Sequence, residues 1–183
     1  VGRVLSQTDP TGRSAWYRYD ELGRLEARGR GETMSESYAY DAAGNLLARV
    51  DALGHAHRFA YDRAGRLLAE TNRSGATRTY RYDAAGSLVE TSDYTGLRAR
   101  YRYDAGGGLV AVDYADGGGL RYEYDRAGRL RVAENEHERV EIERDARGRV
   151  TSVTAPASGS HLSFSWDEAG RREAGGRGHG RRR

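Results

Sequence analysis

The chain has 183 residues, a formal net charge of +3 and no cysteine, so disulfides and thiolate metal sites are excluded. No apolar run approaches the ~18 residues of a membrane span, and no signal peptide opens the sequence. Leu, Val, Ile and Phe supply only 27 residues, about 15%, a level that is common in disordered chains. Because 13 tyrosines supply the missing apolar surface, we expect residues 1–170 to be ordered.

The positive charge is concentrated at the C-terminal end. Residues 171–183 carry six arginines and one glutamate, whereas residues 1–170 hold 24 arginines and 26 acidic groups. Only this end could attract a polyphosphate, and then weakly. We predict a repeat region over 1–170, a disordered Gly/Arg-rich tail over 171–183, and no specific nucleic-acid partner. The first residue is Val1 rather than Met, which predicts a piece of a longer protein.

A Tyr-Asp pair recurs every 21 residues. The copies are Tyr19-Asp20, Tyr40-Asp41, Tyr61-Asp62, Tyr82-Asp83, Tyr103-Asp104 and Tyr124-Asp125, and two weaker copies follow at Arg144-Asp145 and Trp166-Asp167. A fixed period of this size is the signature of a repeat architecture, in which each repeat is one supersecondary unit.

Each repeat contains two turn signals. Every Tyr-Asp pair opens an Asp-x-x-Gly turn, whose glycines are Gly23, Gly44, Gly65, Gly86, Gly107 and Gly128. This spacing predicts a three-residue hairpin loop with glycine at positive φ and an aspartate that holds the turn by accepting a backbone hydrogen bond. Similar signals lie half a period later, as in Asp9…Gly12, Asp51…Gly54, Asn72…Gly75 and Asp93…Gly96. The second turn signal is less regular at Gly29–Glu32, Asp116–Gly119 and Glu134–His137, which predicts longer or mobile hairpin ends.

Runs of about six residues between the turns have the length and alternation of β-strands. The first run puts two aromatic residues on one face, as in Tyr17 and Tyr19, while the residue between them, here Arg18, points the other way. The second run begins with an apolar doublet, as in Leu46-Leu47, which suggests apolar side chains on both faces. We therefore predict an all-β fold of antiparallel β-hairpin repeats of about 21 residues, with about sixteen strands in chain order.

The unit Tyr-x-Tyr-Asp-x-x-Gly-[Arg/Asn]-Leu, as in residues 38–46, resembles the RHS/YD repeat, and the resemblance covers about residues 5 to 170. The family includes bacterial polymorphic toxins, shell components of insecticidal toxin complexes, and teneurins. The resemblance implies a curved, open segment of a YD-repeat β-shell that encapsulates or carries a toxin domain for secretion and interbacterial or host-directed delivery. It also implies a secreted or cell-surface location, with flanking YD repeats and an encapsulated toxin domain as partners.

The width of the predicted sheet limits what this segment encloses. Sixteen strands at ~4.8 Å span about 77 Å, which would roll into a circle about 24 Å across. A 100-residue cargo with a radius of gyration near 13 Å is wider than that. We therefore expect one wall segment of a shell, with two open sheet edges that favour self-association.

Other motifs give no enzyme, and we predict no catalytic residue, no metal site and no cofactor. The Tyr-Asp carboxylates lie too far apart in sequence for a calcium loop, so turn-holding is favoured. His55 and His57 would share a strand face but have no third zinc ligand, so solvated histidines are favoured. Ser158–His161 lacks the setting of a nucleophilic serine, and Gly106–Gly108 lacks that of a phosphate loop.

The tyrosine rows leave one alternative function open. If they face a lumen they are structural, which is the interpretation we favour. If they face solvent, rows of tyrosine and arginine could bind glycan or a protein surface, and the chain would be a cell-surface adhesion module.

Overall fold

The computed structural model describes residues 3–173, and all regular elements in that range are β-strands. The strands are β1 (Val4–Thr8), β2 (Ser14–Tyr19), β3 (Leu25–Arg30), β4 (Thr33–Tyr40), β5 (Leu46–Asp51), β6 (Ala56–Tyr61), β7 (Leu67–Thr71), β8 (Thr77–Tyr82), β9 (Leu88–Ser92), β10 (Arg98–Tyr103), β11 (Leu109–Tyr114), β12 (Gly119–Tyr124), β13 (Leu130–Glu134), β14 (Arg139–Arg144), β15 (Val150–Ala155) and β16 (Ser160–Ser163). Strand order in the sheet is chain order. The predicted all-β fold of antiparallel hairpin repeats is confirmed. Over the same residues, no helix could cross a membrane.

The chain divides into two compact units, which are described separately below. Unit one reaches Arg81 and includes Thr91–Gly96, so it holds β1 to β7 and nearly all of β8. Unit two comprises Tyr82–Glu90 and the residues from Leu97 onward, so it holds β10 to β16. Strand β9 is shared between them. Within each unit, neighbouring strands pair antiparallel.

The Asp-x-x-Gly segments form the three-residue loops that their spacing predicts. In the first, the Asp20 N–H donates to the Arg24 carbonyl at 2.9 Å and the Gly23 N–H donates to the Asp20 carbonyl at 3.0 Å. Gly23 has a φ of 78°, which a Cβ would strain. The loops that open at the other five Tyr-Asp aspartates, from Asp41 to Asp125, repeat these two hydrogen bonds.

None of the three loosened turns is the longer hairpin end that we predicted, because residues 115–118 connect β11 to β12 and residues 135–138 connect β13 to β14, whereas the regular loop 20–24 connects β2 to β3. We expected a longer hairpin end around Gly29–Glu32, but β3 ends at Arg30 and β4 begins at Thr33. The connection is therefore only two residues long, with Gly31 at a φ of 54°. Arg30 pairs with Thr33, so the ladder continues up to this loop.

The apolar doublets mark β-bulges. At the start of β5, Tyr40 pairs with Leu46 and Ala39 pairs with Ala48, so Leu47 is an extra residue. The same irregularity recurs in five further hairpins, where the extra residues are Glu26, Leu68, Val110, Arg131 and Thr151. The doublet is therefore not two consecutive ladder positions, because its second residue is the bulge residue; Leu46 is half-buried and Leu47 is exposed.

Both units are thin, with few buried side chains. The buried hydrophobic residues in the described range are Ala27, Ala99, Ala111, Val112 and Val132, and no large side chain there is fully buried. The repeat tyrosines, including Tyr19, Tyr40 and Tyr124, are half-buried, while Arg18 and Ala39 between them are exposed. Order in this fold therefore depends on turns, ladders and side-chain links rather than on a thick core.

The predicted tail lies mostly outside the described residues, which end at Glu173. Its first residues are still part of the fold. The Glu173 N–H donates to the Ser165 carbonyl at 3.0 Å, and Arg172 forms a β-bridge with Trp166. Disorder from residue 171 onward is therefore wrong for residues 171–173.

Candidate functional surface

The aspartates of the Tyr-Asp pairs hold their own loops. Asp20 Oδ1 accepts hydrogen bonds from the backbone N–H of Leu22 at 3.0 Å and of Arg24 at 2.8 Å, and its Oδ2 accepts from Arg24 Nε at 2.6 Å. These contacts, led by the backbone hydrogen bond from Arg24, hold the pKa of Asp20 below its ordinary value. The two contacts from an arginine four residues after the aspartate also occur at Asp62, Asp125, Asp145 and Asp167.

The arginine of the loop also reaches the next repeat. Arg24 Nη1 donates to the Asp41 carbonyl at 2.8 Å, and the guanidinium lies 4.8 Å from the centroid of the Tyr40 ring. Arg149 makes the equivalent contacts, 3.2 Å to the Asp167 carbonyl and 5.5 Å to the Trp166 ring. One side chain therefore closes its own hairpin and fixes the end of the following hairpin.

In the repeats of Tyr40, Tyr103 and Tyr124, the second aromatic residue supplies a hydrogen-bond donor. The Tyr40, Tyr103 and Tyr124 hydroxyls donate to the carbonyls of Leu25, Leu88 and Leu109, at 3.0, 2.8 and 2.8 Å. The two degenerate repeats keep this contact with different chemistry. Arg144 Nη1 donates to the Leu130 carbonyl, and Trp166 Nε1 donates to the Val150 carbonyl, both at 2.8 Å.

In unit one, the face that carries the tyrosines is charged in mid-strand. Ladder pairing places Tyr17, Arg28, Glu36, Arg49, His57, Glu70 and Arg78 on this face. Glu36 Oε2 accepts from Arg28 Nε and from the Tyr38 hydroxyl, each at 2.7 Å. Its pKa is lowered, chiefly by the Tyr38 hydrogen bond. Glu70 Oε1 accepts from the Tyr80 hydroxyl at 3.1 Å and lies 3.3 Å from Arg78 Nη1.

In unit two, the corresponding positions are apolar. Ladder pairs bring together Tyr101 with Val112, Val112 with Leu120, Tyr122 with Ala133, Ala133 with Val140, and Ile142 with Val153. The same fold therefore accepts either charges or aliphatic side chains beside its tyrosines.

The two histidines have different surroundings. His55 lies in the turn before β6, where its Nδ1 is 3.2 Å from Asp51 Oδ2. His57 stacks on Phe59 with 4.6 Å between ring centroids, and its buried Nε2 is 3.7 Å from Glu70 Oε2. Our expectation of solvated histidines is therefore wrong for His57. Within residues 3–173, no three His, Cys, Asp or Glu side chains are grouped as a metal would need.

The structure places the predicted repeat residues at one end of each repeat. The second tyrosine ends its strand, the aspartate opens the loop and the glycine closes it at positive φ. Sequence reasoning missed the role of the arginine four residues after the aspartate, although its recurrence at that spacing was visible. It also missed Glu36 and Glu70, whose shared face becomes apparent only once the register is known.

Comparison with known proteins agrees with this geometry. The Teneurin YD-shell family model matches residues 3–171. No match was found among curated proteins.

Solved structures of similar fold include three that contain TccC3. The TcdB2-TccC3-Cdc42 crystal structure has a TM-score of 0.61 and 14% identity, covering 93% of this chain and 13% of that one. A Photorhabdus luminescens Tc holotoxin pore with a TccC3 mutation has a TM-score of 0.62 and 18% identity, covering 93% of this chain and 11% of that one. The crystal structure of TcdB2-TccC3 without its hypervariable C-terminal region has a TM-score of 0.60 and 18% identity, covering 88% of this chain and 10% of that one. This chain thus spans a small part of each matched chain, and these identities speak for the fold alone. Since the family model covers nearly its whole length, the chain belongs to the Teneurin YD-shell family.

Proposed function

We propose that the chain is a non-catalytic wall segment of a curved YD-shell that encloses or carries a toxin domain for secretion and delivery. The observation that carries the proposal is the family match over residues 3–171, which leaves no room for a second domain in that range. Similar solved structures pair TcdB2 with TccC3, and one of them lacks a hypervariable C-terminal region.

The side-chain links support a wall in which successive repeats are tied together. Each Asp–Arg loop is closed internally, and Arg24 and Arg149 continue the connection into the next repeat. We assign the eighteen tyrosines, aspartates and glycines of the six Tyr-Asp repeats to this structural role. The domain we propose is a repeat region over 1–170, and flanking YD repeats would extend the wall on both sides.

Limited proteolysis of the product of the intact reading frame tests this proposal. Removal of one 21-residue period, residues 62–82, preserves the turn pattern but shortens the wall. We expect the enclosed domain to resist protease in the intact protein and to be cut in the shortened one. Equal cleavage of that domain in both proteins would contradict encapsulation.

A second candidate, an adhesion module for glycan or a protein surface, is supported by the exposed arginines on the tyrosine face of unit one. Several tyrosine hydroxyls are already engaged with backbone carbonyls or with glutamates, which favours the structural role. Glycan-array binding that Tyr82→Ala removes without unfolding the chain would favour the adhesion module.

A further inference from the structure

The charged side chains at the centre of the tyrosine face in unit one differ consistently in exposure. The carboxylates are largely covered, and the guanidinium groups are exposed. The Glu36 and Glu70 side chains are 14% and 15% exposed, whereas those of Arg28, Arg49 and Arg78 are 49%, 41% and 41% exposed. A partner that binds this surface would therefore contact the guanidinium groups rather than the carboxylates.

The carboxylates are held in their covered positions. Glu36 accepts hydrogen bonds from Tyr38 and Arg28, and Glu70 accepts one from Tyr80. Arg78 is fixed from a second direction, since its guanidinium lies 4.8 Å from the centroid of the Tyr94 ring. Three guanidinium groups over two carboxylates leave one net positive charge in an ordered array, and Asp51, which shares this face opposite Glu36, is balanced by Arg73 at 3.2 Å.

Folding does not require this array. In unit two the corresponding ladder positions carry Ala99, Val112, Leu120, Ala133 and Val140. Replacing covered ion pairs by aliphatic side chains is commonly neutral or stabilising. Charges kept at these positions are therefore better explained by recognition than by stability.

An open groove of about 520 Å³ lies against one end of the array, lined by Tyr17, Arg28, Gly29, Arg30, Glu36 and Asp51. From β3, which carries Arg28, to β8, which carries Arg78, there are five inter-strand steps, or about 24 Å. An extended peptide covers that distance with seven or eight residues. The arginines on β3, β5 and β8 are spaced by about 10 and 14 Å, or three and four extended residues.

We propose that the tyrosine face of unit one, through Arg28, Arg49 and Arg78, binds an extended acidic polypeptide segment with separated carboxylates. A nucleic-acid strand fits less well, because it brings a charge every ~3.4 Å against one net positive charge spread over the array. If the proposed shell function holds, this segment belongs to the enclosed domain. Peptide binding is measured on the 183-residue chain alone, so its outcome is separate from that of encapsulation.

The test is fluorescence anisotropy at low ionic strength with a labelled, capped octapeptide. The peptide has Glu at positions 1, 4 and 8 and Ser or Gly elsewhere. A second peptide has the three Glu side by side, a third has Gln in their place, and an oligothymidylate serves as the nucleic-acid probe. The protein variant is the triple substitution Arg28→Gln, Arg49→Gln and Arg78→Gln. The matched control is the triple substitution Arg100→Gln, Arg102→Gln and Arg121→Gln, which removes three ion-paired arginines from unit two.

We expect the spaced peptide to bind best, and the unit-one triple variant to weaken it roughly tenfold while the unit-two control leaves it nearly unchanged. The triple substitution Arg28→Lys, Arg49→Lys and Arg78→Lys, with unchanged circular dichroism, should retain most of the binding if charge at these positions is what matters. Equal weakening by both Gln variants would overturn the proposal. Equal binding of the contiguous peptide, or tighter binding of the oligothymidylate, would overturn it as well.

Discussion

The hydroxyl of the second repeat tyrosine gives the sharpest test of how this fold is stabilised. Tyr124→Phe removes one hydroxyl, which donates to the Leu109 carbonyl at 2.8 Å, and leaves the half-buried ring in place. A neutral hydrogen bond of this kind contributes about 1 kcal/mol. In a chain of this length we expect a fall in Tm of roughly 2–4 °C. Urea denaturation followed by circular dichroism measures the change in the free energy of unfolding.

The matched control is Tyr122→Phe, two residues earlier on β12, for which the described residues show no hydroxyl hydrogen bond. It should change the free energy of unfolding by less than about 0.5 kcal/mol. The degenerate repeat extends the test, because Arg144 donates to the Leu130 carbonyl in the same way. Arg144→Tyr should keep stability, whereas Arg144→Leu should lose it. Equal losses for Tyr122→Phe and Tyr124→Phe would refute the donor role.

Three further predictions concern the edge, the turns and a tight contact. A Cβ at Gly29 would lie 2.6 Å from the Trp16 indole, so Gly29→Ala should destabilise the chain by about 1–3 kcal/mol in urea denaturation. The pKa of Asp20 is lowered in the fold, so its contribution is present above the unfolded pKa and is lost as pH falls through the folded one. Tm should therefore drop below about pH 4, and less steeply in Asp20→Asn. Since β1 pairs only with β2 among the described residues, we expect self-association by light scattering; a monodisperse monomer at high concentration would contradict it.

The hairpin loops could be predicted from the sequence because their chemistry is local. An aspartate and a glycine three residues apart are enough for the Asp20–Gly23 loop, since the hydrogen bonds and the positive φ involve only neighbouring residues. The strand count followed from the same signals.

The bulges could not be predicted in this way. Leu46-Leu47 reads as a doublet, and strict alternation then assigns one leucine to each face. The structure inserts Leu47 as an extra residue between two ladder pairs, which no single strand reveals. The charged array could not be predicted for the same reason, because Arg28, Glu36 and Arg49 come together only through pairing between β3, β4 and β5.

The bulge places two side chains beside each other, and in two repeats these side chains carry opposite charges. The bulge residue lies beside the residue between the two repeat tyrosines, and Arg18 Nε donates to Glu26 Oε2 at 2.8 Å. In the sixth repeat the charges are exchanged, and Arg131 pairs with Glu123. In the second and third repeats these positions are Ala39 with Leu47 and Ala60 with Leu68.

A charge-reversal cycle tests whether this neighbourhood matters. Glu123→Arg alone places like charges at the bulge and should lower Tm, and Arg131→Glu alone should do the same. Both together restore the arrangement of the first repeat and should recover most of the loss, less so at high salt because the pair is exposed. Arg139 also contacts Glu123, at 3.5 Å, so recovery should be incomplete. Additive losses in the double variant would mean that the two positions do not interact, and that the exchanged charges of the first and sixth repeats are coincidental.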